Sequence, residues 1–268
     1  MRPSGAGDEG SGKDGVAANG WILFLLFATG LAVGSFIGAA SWRIPRGLSL
    51  VMPGSACPSC RFPLEARDLI PVVSYVLSRG RCRHCGGRIS LRYPLIELVT
   101  AAGITAMYFA SASVGEFVAS AVFFCFLVLM SVIDLEHMLL PDRLNLAAGA
   151  LGFVFAFLGV TGTAPASAVA GAAGGFGVIA LIRWLSKGGM GLGDAKFLAA
   201  IGVYLGPGGA VAALLTGSVI GAAIGLALMA AGKVSRRSRL PFGPFLAAGA
   251  LVVWVVRRSA LLDAFPFS

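Results

Sequence analysis

The chain has 268 residues, of which 57% are hydrophobic and only 12% charged, against roughly 25% charged in an ordinary soluble domain. That composition excludes a soluble globular fold and predicts an all-α, polytopic helical membrane protein, because the chain repeats apolar runs of the ~20 residues a bilayer crossing needs. The net charge of +9 and pI of 9.9 do not point to nucleic acid, since the cations lie in loops between apolar runs with no basic-aromatic interleaving.

Residues 1–19 are polar and rich in Gly and Ser, and are expected to form a disordered tail. The first span follows over 20–40, from about Trp21 to Ala40. A secretory signal has an apolar core of ~7–15 residues; this run is longer and has an acidic leader before it, so it reads as a retained helix. From Ser41 to Tyr93 the chain turns polar and basic, with nine Arg opposed only by Glu65 and Asp68. Further spans are expected at about 95–112, 115–133, 144–160, 166–185, 195–206, 208–231 and 241–256, about eight transmembrane helices in all. With the basic loop inside, seventeen of the 21 Lys and Arg fall on the cytoplasmic side, the asymmetry that orients membrane proteins. Arg257 and Arg258, at the outer end of the last span, are the local exception.

Within the basic loop stand two CxxC pairs, Cys57-Pro58-Ser59-Cys60 and Cys82-Arg83-His84-Cys85. Each is a tight knuckle offering two thiolates to one metal, and two knuckles complete a tetrahedral zinc site with no open position, hence structural. Disulfides would need an oxidising compartment, whereas charge places this loop in the cytosol. Cys125, mid-span, is expected to be a buried apolar thiol. His84 and His137 are read as packing or solvated residues.

Two acidic residues stand at membrane boundaries, where a carboxylate is costly and usually functional. Asp134 lies in SVIDLEHMLLPD, and Asp194 follows Gly188, Gly189, Gly191 and Gly193 in SKGGMGLGDAKFLAAI. Charge-derived topology puts both on the cytoplasmic side. Two carboxylates in one partly desolvated site hold one proton between them. The ionised one can take a proton from water while the other hydrogen-bonds the scissile carbonyl, which is peptide hydrolysis without a covalent intermediate. Gly191 and Gly193 would let an extended substrate backbone lie close, and Lys196 is grouped with them as a binding residue. Asp142, after Pro141, is read as a structural residue at a helix N-terminus. Asp194 has a capping alternative of the same kind.

These blocks together resemble the bacterial type IV prepilin peptidases, bifunctional leader peptidases and N-methyltransferases. The resemblance rests on Gly34-Ser35-Phe36, Arg43-Ile44-Pro45, both CxxC pairs, RYPLIEL at 92–98, IDLEHMLLPDRL at 133–144, GMGLGDAKFLAAIG at 189–202 and PFGPFLA at 241–247. It implies that Asp134 and Asp194 are the catalytic aspartates and that Cys57, Cys60, Cys82 and Cys85 hold zinc. It implies cleavage of the basic leader of prepilins or type II secretion pseudopilins after Gly, at the cytoplasmic face of the bacterial inner membrane. It further implies methylation of the new N-terminus by S-adenosylmethionine. On this reading residues 41–93 form the cytoplasmic loop associated with methyl transfer and 94–268 the membrane aspartyl peptidase domain. Glu97 is the candidate for gripping the substrate amine or the methyl donor. The family pattern GSFLN reads Gly34-Ser35-Phe36-Ile37-Gly38 here; Gly38 in place of Asn weakens the methyltransferase expectation and leaves a peptidase-only alternative. An ion-coupled transporter and a non-catalytic zinc-knuckle scaffold are the remaining readings. A transporter would want its carboxylates at midspan and an inverted repeat.

Overall fold

The computed structural model describes residues 11–258 except 236, 237 and 239, with side chains from residue 20 onward. Among the described residues the elements are α1 (Ser11–Arg43), α2 (Val73–Leu77), α3 (Arg92–Phe109), α4 (Val114–His137), α5 (Asp142–Phe157), α6 (Pro165–Leu185), α7 (Leu192–Ala230) and α8 (Gly243–Arg258). Among the described residues no strand accompanies them, and the β pairing there is two isolated bridges in the cysteine loop. The tail assigned to 1–19 lies outside the described residues up to residue 10, and α1 begins at Ser11. Four segments, Gly20–Arg46, Val114–His137, Pro165–Leu185 and Leu192–Ala230, are long and apolar enough to cross a membrane.

The spans expected at 195–206 and 208–231 correspond to the two helical segments of α7, which meet at a kink. Gly206 takes φ 69° and ψ 179° inside it, and Pro207 follows. Pro207 lacks an N–H, and the break at Gly206 takes nearby carbonyls out of the regular ladder. In a bilayer, such groups must find partners inside the protein. They do: the Thr163 hydroxyl donates to the Tyr204 carbonyl at 2.8 Å, and Arg257 donates to the Leu205 carbonyl at 2.5 Å. Arg258 pairs with Glu116 and lies over the Trp254 ring. The two arginines that dissented from the charge asymmetry are thus engaged within the helix bundle.

The chain forms two compact units, one joining Met1–Phe36 with Ala56–Ala106 and one joining Ile37–Ser55 with Met107–Ser268. In the first, α1 and α3 approach so closely that a Cβ on Gly34 would stand 2.6 Å from the Glu97 Cα. In the second, α6 and α7 meet backbone to backbone: a Cβ on Gly171 would lie 2.1 Å from the Gly202 carbonyl oxygen. Small residues are what let helices associate in lipid, where no hydrophobic force separates a Leu from an acyl chain. Aromatic pairs bind α4 to α7, with Phe123 stacked on Tyr204 at 4.4 Å and Phe126 edge-on to Phe197 at 5.4 Å. Each such pair is worth about 0.5–1.5 kcal/mol beyond its buried area.

Candidate active site

Helix α4 starts on Ser113, whose hydroxyl accepts the Glu116 N–H, and ends at Met138 in the left-handed region (φ 49°) with its N–H on the Asp134 carbonyl. Asp134 therefore lies in the last turn, on a buried face, 5% exposed. Its carboxylate Oδ2 accepts the N–H of Gly243 at 2.8 Å. Gly243 is the first residue of α8, so the carboxylate sits at the positive end of that helix. A Cβ at position 243 would come within 2.8 Å of the same oxygen, which is why the Pro-Phe-Gly-Pro block needs its glycine. Sequence reasoning missed Gly243 as a site residue. The Pro241–Pro244 punctuation before the last span was the available signal.

Asp194 lies in the first turn of α7, half-buried, and its Oδ2 accepts the Gly191 N–H at 3.2 Å. The capping alternative is thus realised, and it uses one carboxylate oxygen. Asp134 and Asp194 are near enough for the charge of one to act on the other. Both present carboxylates at helix N-termini, α8 for one and α7 for the other.

The neighbouring residues are placed as follows. A Cβ on Gly193 would meet the Leu140 Cβ at 3.2 Å, and one on Gly191 would meet Asp194 Oδ2 at 2.9 Å. Leu140 fills the room that Gly193 makes, while Gly191 stays exposed. The backbone of Gly188 and Gly189 is exposed. Lys196 Nζ donates to Asp142 Oδ2 at 2.5 Å, tying the first turn of α7 to the first turn of α5. Asp142 also stands where α5 favours a negative charge, in keeping with a structural role. The side chains are 39% and 67% exposed, and exposed pairs contribute about 0–1 kcal/mol. Lys196→Met should therefore lower stability by less than about 1 kcal/mol, read in a detergent melting curve. It should keep any peptidase rate within about tenfold of wild type, the equivalent of about 1.4 kcal/mol in barrier.

In the other unit, Glu97 is 7% exposed, accepts the Val72 N–H at 2.8 Å and is hydrogen-bonded by Ser35. Val72 itself takes φ 60°, a costly conformation for a β-branched residue. The Gly34-Ser35 pair is thereby explained: the glycine lets α1 touch α3, and the serine reaches the carboxylate. Gly38 is buried in α1, its carbonyl accepting the Ser41 hydroxyl.

The two cysteine knuckles close on each other. All four sulfurs lie within 4.8 Å of one another, with Cys57 and Cys85 3.9 Å apart. Four thiolates about 2.3 Å from a zinc ion stand about 3.8 Å from each other. In each knuckle the residue after the second cysteine takes a left-handed conformation, Arg61 at φ 59° and Gly86 at φ 69°. The carbonyl of the first cysteine accepts that residue's N–H in both. His84, exposed, stacks on Phe62 across the pair. Backbone N–H groups of Cys60 and Ser59 draw the Cys57 thiol down to about 6. Cys60 goes the other way, to about 11: the Phe62 N–H pulls it down, but desolvation and the thiols of Cys57, Cys85 and Cys82 outweigh it. The spacing of the four sulfurs fits coordination of one metal ion by four thiolates.

The fold is that of a helical membrane protein that carries a tetracysteine cluster, with Asp134 and Asp194 as its candidate site. Residues 28–111 match the model of the bacterial peptidase A24 N-terminal domain, and residues 121–226 match that of the type IV leader peptidase family. The prepilin leader peptidase/N-methyltransferase of Bacillus subtilis (strain 168) is 37% identical over 239 residues, which is 87% of this chain and 94% of that protein. Its counterpart from Burkholderia pseudomallei (strain 1026b) is 39% identical over 85% of this chain and 74% of its own length. That from Aeromonas hydrophila is 35% identical over 85% and 88%. No solved structure matches the chain. The chain belongs to the type IV leader peptidase family.

Proposed function

We propose that this protein is a prepilin leader peptidase and N-methyltransferase in which Asp134 and Asp194 perform the hydrolysis. The observation that carries the reading is the pair itself: two carboxylates within electrostatic reach, each held by a backbone N–H at a helix start. The ionised carboxyl removes a proton from water as the water oxygen attacks the scissile carbonyl. The protonated one hydrogen-bonds the carbonyl oxygen and then supplies the proton that the leaving amine needs. No acyl-enzyme forms, and both side chains return to their starting protonation after one exchange. Acid–base catalysis of this kind is worth about 10²–10⁴-fold.

The charge asymmetry of the loops supports a cytoplasmic active site in a bacterial inner membrane. The exposed Gly188–Gly191 backbone, beside Asp194, is where an extended substrate strand would lie. The substrates are prepilins, and by the same chemistry type II secretion pseudopilins, cut after Gly at the end of a basic leader. Lipid surrounds the helices, and nucleic acid has no role. The four thiolates hold a structural zinc ion. S-adenosylmethionine would be the methyl donor, supplying an electrophilic methyl group when bound. Glu97, a buried carboxylate, is the residue suited to hold the new N-terminal ammonium and to take up the proton it must lose to become a nucleophile. The names of the relatives support retention of methyl transfer despite Gly38.

The test is purified protein in liposomes with a prepilin peptide and S-adenosylmethionine, followed by mass spectrometry. Cleavage after Gly with one added methyl on the new N-terminus is the expected result. Cleavage without methylation would leave a peptidase only, and an intact peptide would remove the function. For the metal, wild type should carry one zinc ion per chain by elemental analysis, and Cys57→Ser should lose it. Because Cys60 must surrender a proton to bind, apparent zinc affinity should rise with pH across the neutral range.

A further inference from the structure

Immediately after the Gly20–Arg46 segment the chain makes a loop, residues 48–53, whose tip is apolar and open. Val51 is 79% exposed and Met52 73%, with Leu48 and Leu50 also exposed. In a loop chosen for solubility, the tip would be polar. Several backbone groups of the loop are bonded from within. Arg43 donates through Nη1 to the Ser49 carbonyl at 2.9 Å and through Nη2 to the Pro53 carbonyl at 2.8 Å. The Ser49 hydroxyl accepts the N–H groups of Val51 and Met52 at 3.2 and 3.3 Å. Backbone groups that have their own partners are what lipid demands and what water does not require.

We propose that residues 48–53 are an interfacial finger seated in the cytoplasmic leaflet of the membrane. Position supports lipid as the occupant, since the finger begins where a segment long enough to cross the bilayer ends. The belt beneath it has membrane-interface character: Trp42 is exposed, with the Arg46 guanidinium over its ring at 4.5 Å, and Trp and Arg flank bilayers in this way. An interfacial element buries its apolar face ~5–10 Å into the headgroup boundary, a depth that a short loop tip reaches. Arg46 also lies 3.3 Å from His137, one turn beyond Asp134 on α4. Anchoring the finger therefore holds the corner of the chain that abuts α4. The proposal rests on the membrane orientation proposed above, and not on peptidase activity.

The experiment uses the full chain in nanodiscs containing a phospholipid with a diazirine on its acyl chain. After irradiation, the tryptic peptide Gly47–Arg61 is examined for lipid adducts. In parallel, oxidation of Met52 by a water-soluble oxidant is compared between wild type and Val51→Asp. Adducts within 48–53, with Met52 several-fold slower to oxidise in wild type, are expected. Absence of adducts overturns the proposal. Fast Met52 oxidation would then mean an aqueous loop, and protected Met52 a surface covered by protein, such as a second copy of this chain. Val51 makes no core contact in its exposed setting, so the variant should fold as wild type.

Discussion

Asp134→Asn and Asp194→Asn should each cost on the order of 10²–10⁴-fold in leader cleavage while the protein stays folded. An asparagine oxygen still accepts the Gly243 N–H in one case and the Gly191 N–H in the other, so neither helix start loses its partner. What disappears is the ability to exchange a proton. Detergent melting should accordingly change little, and zinc content should not change at all, because the cysteine cluster shares no residue with the pair. Asp142→Asn is the control, since Asp142 is committed to Lys196. It should cleave at a rate close to wild type. If Asp142→Asn were as defective as the other two, the pairing described here would be wrong.

The second large effect is on folding. Gly171→Ala should cost about 3 kcal/mol or more, at or beyond the upper end for overpacking. The added Cβ would meet the Gly202 carbonyl at 2.1 Å and backbone atoms of Gly202 and Gly206 at 2.8 Å. A flexible side chain could swing aside, but these are backbone atoms of a packed helix. Since α7 carries Asp194 in its first turn, separating α6 from α7 should also depress cleavage. Gly177→Ala supplies the comparison: the same helix, the same substitution, and nothing within 4 Å of the new carbon. It should leave both the melting temperature and the rate at or above wild type, as Ala favours helix over Gly.

Much of the site was legible in the sequence because its residues break a rule of their surroundings. Asp134 and Asp194 are charges in apolar runs, and CxxC spacing is itself a geometric statement about thiols. Glu97 stood out for the same reason, although its partners Val72 and Ser35 did not. What was hidden depends on approach between distant segments. Gly243 lies 109 residues from Asp134, and no local pattern says that a glycine opening the last helix will donate to a carboxylate closing the fourth one. Lys196 reads as a free cation until Asp142, 54 residues earlier, is found beside it. The glycines before Asp194 announced a close approach, but not that Leu140 would fill it.

The helices from α3 onward were legible from hydropathy, with ends shifted by a few residues. By contrast, α1 starts ten residues earlier than its apolar run, and among the described residues four segments, against eight expected spans, are long and apolar enough to cross a membrane. The break within α7 was legible too. Gly206-Pro207 punctuates the sequence as a helix boundary and the backbone leaves the helix there, but the partners Thr163 and Arg257 that bond the carbonyls beside the break were not foreseeable. Arg257 likewise counted as a topological exception only while its structural duty was unknown. The 48–53 loop was absorbed into a basic segment because Arg dominates the composition there, which concealed an apolar tip.

The claim that Asp134 and Asp194 act as one catalytic unit is tested most directly by a double-mutant cycle on the cleavage rate. Wild type, Asp134→Asn, Asp194→Asn and the double variant would be assayed with one prepilin peptide in the same lipid. Groups that act together are strongly non-additive, so the double variant should be no slower than the worse single variant. A double variant whose loss equals the product of the two single losses would mean two independent contributions, and the paired-carboxylate mechanism would be contradicted.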